Sequence, residues 1–184
     1  MCSSIASSNV GRIMTVSDLF QPLIGLVAWQ VKRGVGTFFT MEFGSPRLEV
    51  REPKNQFTGP VSESVKRIFQ RRKISVLGEW HFWLQYCDWE IRTESSFVAS
   101  DEEDNAKLDT VLGEVDGQIL MAVNEESTNS TCTFTFDLGA KLTMTPSTEF
   151  EGEDMWTLYR CDRQTYAYNE IGKLVLLNED AQPS

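Results

Sequence analysis

The stretch Glu79-Trp80-His81-Phe82-Trp83-Leu84-Gln85-Tyr86-Cys87-Asp88 gathers residue types that do chemistry: a carboxylate, the single histidine of the chain, an amide and a thiol. In a strand, alternate residues share a face. Glu79, His81, Trp83, Gln85 and Cys87 then fall on one face, and Trp80, Phe82, Leu84 and Tyr86 form an apolar face for the core. Glu79 and His81 stand about 6–7 Å apart on this reading, so they are the candidate acid–base pair of a small enzyme. A Cys–His contact would activate a thiolate. However, six residues of strand put His81 and Cys87 about 20 Å apart, so that contact is not expected. The plainer reading of His81 is a structural histidine hydrogen-bonded among aromatics.

Other catalytic patterns are missing. No G-x-x-x-x-G-K-[ST], G-x-S-x-G or strand–G-x-G-x-x-G–helix pattern occurs. Gly34-Val35-Gly36 lacks a third glycine and leads into a strand. No cofactor is expected, and with one histidine no metal site is expected either. The carboxylate run Asp101, Glu102, Glu103, Asp104 suits a helix N-terminus, where negative charge meets the positive end of the dipole. Cys2, Cys87, Cys132 and Cys161 are widely spaced and read as free thiols, Cys87 and Cys132 as small core residues. The basic cluster Lys66, Arg67, Arg71, Arg72, Lys73 has no interleaved aromatics for base stacking. It reads as a solvated face or as a contact for an acidic surface, and the acidic run 101–104 is the matching candidate contact.

The elements that position these residues follow from periodicity. Residues 1–14 read as a flexible N-terminus. Ser17 is a candidate cap for a short helix carrying Leu19, Phe20 and Leu23. Strands are expected at 25–32 and at 35–43, the latter joined by Gly44-Ser45-Pro46 to a strand at 47–51 in a hairpin. A helix at 61–70 would bury Val61, Val65 and Ile68. Residues 74–77 read as a strand, 79–92 as one or two strands, 94–104 as an acidic linker, and the helix that follows buries Leu108, Val111, Leu112 and Val115. Ser100 and Glu103 form a capping-box pattern before it. Further strands are expected at 118–123, 131–138, 141–145, 155–159, 165–168 and 173–177, before a flexible tail at 179–184.

Self-comparison shows a repeat. Phe20, Leu23, Gly25, Val27 and Val31 match Leu112, Val115, Gly117, Ile119 and Val123 at one offset of 92. FTMEFGSPRLEV at 39–50 matches FTFDLGAKLTM at 134–144 with one deletion, and W-x-x-Y occurs at Trp83/Tyr86 and at Trp156/Tyr159. The expected fold is therefore α+β: predominantly antiparallel sheet with about three short helices, built by duplication of a helix–strand–hairpin–strand unit. The first half would span 15–93, with a helical insertion at 53–73, and the second 105–178.

The strings GVGTFFTMEFGSPRLEVREP and RRKISVLGEWHFWLQYCDWEI resemble an uncharacterised bacterial family with the pattern GxG[ST]F-x-T-x-x-FG, LxVREP, GEWHxW. The resemblance is strongest over 34–92 and weak beyond about residue 110. It implies a bacterial, soluble protein and carries no activity or catalytic residue.

The chain has 184 residues, 41% hydrophobic and 24% charged, with net charge −10. That is an ordinary globular composition. Residues 1–92 carry 12 Lys+Arg and 8 Asp+Glu, whereas 93–184 carry 5 and 19. So acidic a second half argues against wrapping nucleic acid and suits a basic protein partner. MCSSIASSNVGRIMT lacks the apolar core of an export signal, and no apolar run is long enough for a membrane span. The expected function is a non-enzymatic, cytoplasmic protein-binding module, acidic in the manner of immunity or inhibitor proteins. The alternatives are an enzyme using Glu79 and His81, and a homodimer in which 66–73 meets the acidic half of its mate.

Overall fold

The computed structural model describes residues 14–34, 36, 38–54, 56–57, 59–102 and 104–177. The expected flexible ends fall almost wholly outside these residues. Among these residues three α-helices, α1 (Val16–Phe20), α2 (Glu63–Phe69) and α3 (Asn105–Val115), accompany thirteen strands. In chain order these are β1 (Ala28–Arg33), β2 (Phe39–Phe43), β3 (Arg47–Arg51), β4 (Lys73–Leu77), β5 (Trp80–Leu84), β6 (Cys87–Arg92), β7 (Phe97–Ala99), β8 (Leu120–Glu126), β9 (Thr131–Phe136), β10 (Lys141–Pro146), β11 (Asp154–Arg160), β12 (Thr165–Asn169) and β13 (Leu174–Leu177). The fold is α+β and its sheets are antiparallel.

Alternation places the core. β5 buries Trp80, Phe82 and Leu84, while β9 buries Cys132, Phe134 and Phe136. A six-stranded sheet in the order β1-β2-β5-β11-β12-β13 lies against a five-stranded sheet in the order β7-β6-β10-β9-β8. Phe82 meets Phe134 across the two at 5.2 Å between ring centroids, and Phe39 meets Trp89 at 5.1 Å. Phe20, fully buried in α1, sits 4.8 Å from Phe134, 5.4 Å from Trp156 and 6.1 Å from Phe82, so one ring ties both sheets together.

Each sheet draws strands from both sequence halves. The chain leaves the first sheet after β5 for β6 and β7, and leaves the second after β10 for β11 to β13. α1 packs on β8, and α3 packs on β1. Where the halves meet, Val27 bridges Ile119, with Gly25 N–H donating to Leu120 O at 2.8 Å and Ala28 N–H to Gln118 O at 2.8 Å. Val27 and Ile119 are 92 residues apart in the chain. Trp156 is buried opposite Leu84, whereas Trp83 lies beside Thr157 on the outer face of the same sheet.

Several local expectations change. Residues 39–50 do not form a hairpin: β2 pairs with β5, and β3 with β4. The matching segment in the second half does fold as one, β9 on β10. Residues 94–104 contain β7, which pairs with β6, rather than a plain linker. Thr15, not Ser17, caps α1, in a capping box with Asp18. Asp104 caps α3, replacing the expected Ser100/Glu103 box, and Glu103 lies outside the described residues. Cys87 and Cys132 are buried free thiols, but Cys161 is disulfide-bonded, which corrects the free-thiol reading there. No helix among the described residues is long and apolar enough to cross a membrane.

Candidate functional site

β2, β5 and β11 lie side by side, so Glu42, His81 and Tyr159 form one row across the outer face of the six-stranded sheet. His81 Nδ1 meets Glu42 Oε1 at 2.7 Å. Glu42 is fully buried, and its second oxygen accepts the Gly78 N–H at 2.9 Å. The carboxylate partner of His81 is therefore Glu42 and not Glu79. Glu79 turns to the neighbouring bend, where its Oε2 accepts the Ser45 N–H at 3.2 Å.

Such a carboxylate-oriented imidazole is the geometry of a general base. Tyr159, 5.7 Å away ring to ring, has its phenol pushed up to about 12, chiefly by burial, so it stays protonated at neutral pH. Cys87 lies in the other sheet, and burial raises its thiol further still. Among the described residues no group of three or more His, Cys, Asp and Glu could hold a metal ion.

What the Glu42–His81 pair holds is the root of an arm. Beyond Phe43 and Trp80 the β2–β5 ladder continues outward as β3 and β4, with one extra residue on the β2–β3 side. Gly44 supplies the bend with φ +77°. Gly78 stands opposite, and a Cβ there would lie 2.4 Å from the Phe43 carbonyl oxygen. The Gly78 peptide is held from both sides, its N–H by Glu42 and its carbonyl by Arg47 Nε at 3.1 Å. Glu42→Ala strips a partner from both His81 and the Gly78 N–H. It should lower unfolding free energy by about 1–3 kcal/mol, measured by urea denaturation, whereas Glu79→Ala, at a half-exposed site, should cost less.

The arm is a two-stranded ribbon tipped by α2. Leu48 faces Val76 and Val50 faces Ile74 across the ladder, all on one side. All four are exposed, at 68%, 41%, 46% and 62% in that order. The expected buried stripe of α2 is likewise open: Val65 and Ile68 are exposed, and no α2 residue is buried. Phe69 is the residue that anchors the helix, beneath the Arg51 guanidinium at 4.5 Å and edge-on to Phe57 at 6.2 Å. Of the expected basic cluster, Lys66 pairs with Glu63 at 2.7 Å, and Arg72 makes a forked pair with Glu52. Arg67, Arg71 and Lys73 make no ion pair among the described residues. All five cations therefore lie on the arm.

The acidic run is spent locally. Asp104 Oδ1 accepts the N–H groups of Ala106 and Lys107, and Glu102 binds Lys107 Nζ and the Asp104 N–H. Asp101 is exposed. An open groove of about 330 Å³ lies on the five-stranded sheet, lined by Glu125, Glu126, three threonines, Asn124 and Lys141. Its Glu125 is held by the Tyr168 hydroxyl at 2.8 Å.

Glu42 is the residue that sequence reasoning missed. A lone carboxylate inside FTMEF was the available signal, but its meaning depends on β2 lying beside β5. No protein-family model, curated protein or solved structure matches the chain.

Proposed function

We propose that this is a non-enzymatic protein-binding module of the bacterial cytoplasm, and that residues 47–77 are its docking element. The observation that carries the reading is the exposed strip Leu48, Val50, Ile74 and Val76 on a ribbon rich in Lys and Arg. A two-stranded ribbon is marginal in water on its own, and contiguous exposed apolar surface marks interaction sites. The arm holds eight Lys+Arg against three Asp+Glu, a net +5. This favours an acidic protein surface as the partner and moves the binding element away from the acidic run 101–104, which caps α3. An immunity-like use of the acidic body against a basic protein is the weaker version. The bacterial assignment rests on the family resemblance. Against the cytoplasmic assignment stands the disulfide at Cys161, a bond rare in reducing compartments. The reciprocal packing of α1 on β8 and α3 on β1 supports reading the two halves as duplicated units, with the arm inserted in the first.

The enzyme reading loses its original pair, because His81 bonds Glu42 and Glu79 caps a bend. The test of the docking reading uses a Leu48→Asp/Ile74→Asp double variant. Both side chains are exposed, so the melting temperature should hold within a few degrees. After crosslinking in the native host, a stoichiometric partner should be recovered with the natural chain and lost with the double variant. Equal recovery with both, or no partner with either, overturns the reading.

A further inference from the structure

The arm and the rest of the molecule are electrostatic opposites. Outside 47–77 the chain has nine Lys+Arg against 24 Asp+Glu, a net −15, beside the arm's +5. The arm does not fold back to use that charge: among the described residues its ion pairs, Lys66–Glu63, Arg72–Glu52 and Arg47–Glu49, are all internal. Arg51 and Lys73 even stand directly opposite each other on the ladder. Like charges in that position destabilise a ribbon unless an anion lies nearby. We infer that the partner of the arm is a second copy of this chain, in which each arm lies on the acidic body of its mate.

The inference rests on the docking reading above and names its partner. A two-fold arrangement uses the same two surfaces twice, arm on body and body on arm, and closes without leaving an arm free. Charge decides among occupants. A nucleic acid or an anionic membrane would attract the arm but repel the −15 body within a Debye length of about 8–10 Å. The body of a second copy attracts the arm, and its own arm is attracted in return.

The experiment is sedimentation velocity on the full chain from low to high micromolar concentration, in low and in high salt. A dimer that weakens as salt rises is expected. Arg71→Glu/Lys73→Glu should weaken it by at least about tenfold in Kd, and Leu48→Asp/Ile74→Asp should abolish it. Zero-length carbodiimide crosslinking of a mixture of isotopically heavy and light chains should join arm lysines of one copy to carboxylates outside 47–77 of the other. A monomer throughout, a dimer insensitive to salt and to these variants, or mixed crosslinks that omit the arm would each overturn the inference. So would arm-dependent binding to anionic vesicles or to DNA by a chain that stays monomeric. If the chain is monomeric yet the Leu48→Asp/Ile74→Asp variant loses a different protein in the host, the docking reading stands and only the second copy is excluded.

Discussion

Phe20→Ala should destabilise the fold by about 3–5 kcal/mol, read as a lowered urea midpoint with little change in slope. Phe20 is a helix residue doing the work of a core layer. Its ring is fully buried and stands within 4.8–6.1 Å of Phe134, Trp156 and Phe82, which belong to both sheets. α1 has only five residues, too few to refill the space by shifting, so the truncation leaves a cavity. Edge-on aromatic pairs add about 0.5–1.5 kcal/mol beyond area burial. Phe20→Leu keeps most of the volume and loses those pairs, so it should cost clearly less than Phe20→Ala. Equal costs for the two variants would show that the ring geometry contributes nothing.

Gly78→Ala is the second large effect, at about 2–4 kcal/mol. The added Cβ would lie 2.4 Å from Phe43 O and 2.9 Å from Phe43 N, both backbone atoms of the paired strand. No rotamer relieves such a contact, so β2 and β5 must part at the root of the arm, loosening Glu42 and Arg47 from the Gly78 peptide. Hydrogen exchange should accelerate across β3 and β4 before it does in β9 and β10. Gly113→Ala is the control. Gly113 is an exposed helix residue whose Cβ would meet nothing within 4 Å, so that variant should stabilise the protein by about 0.5–1 kcal/mol. Equal behaviour of Gly78→Ala and Gly113→Ala would remove the steric argument.

Much of the fold was legible from spacing. The apolar stripe Leu108, Val111, Leu112 and Val115 is buried in α3 as expected. The aromatic run 79–92 divides into two alternating strands, β5 and β6. Both depend on periods of 3.6 or 2, which are local. The misreadings share one cause. FTMEFGSPRLEV and FTFDLGAKLTM carry nearly the same signal, yet Gly139 closes a hairpin and Gly44 makes a bend in a longer ladder. The turn does not decide this. β5, some forty residues along the chain, buries Phe82 and Leu84 next to β2, and that gain excludes β3 from the place. The α2 stripe failed for a related reason: Val65 and Ile68 have helical spacing, but the arm carries them away from the body.

The candidate site divides in the same way. His81, the basic cluster and the acidic run were visible as residue types, since composition and order alone reveal a single histidine or a run of charge. Their roles were not visible. Whether His81 meets Glu79 or Glu42 depends on which strand lies alongside. Whether a basic cluster is neutralised depends on where the carboxylates end up in space. The α+β class, the alternating faces and the division of charge are readable along the chain, because these follow from near neighbours and from counting. The interleaved sheets, the Glu42–His81 clamp and the bare basic arm emerge only in three dimensions. These rest on pairings between segments far apart in the chain, where burial energy overrides the local turn and periodicity signals.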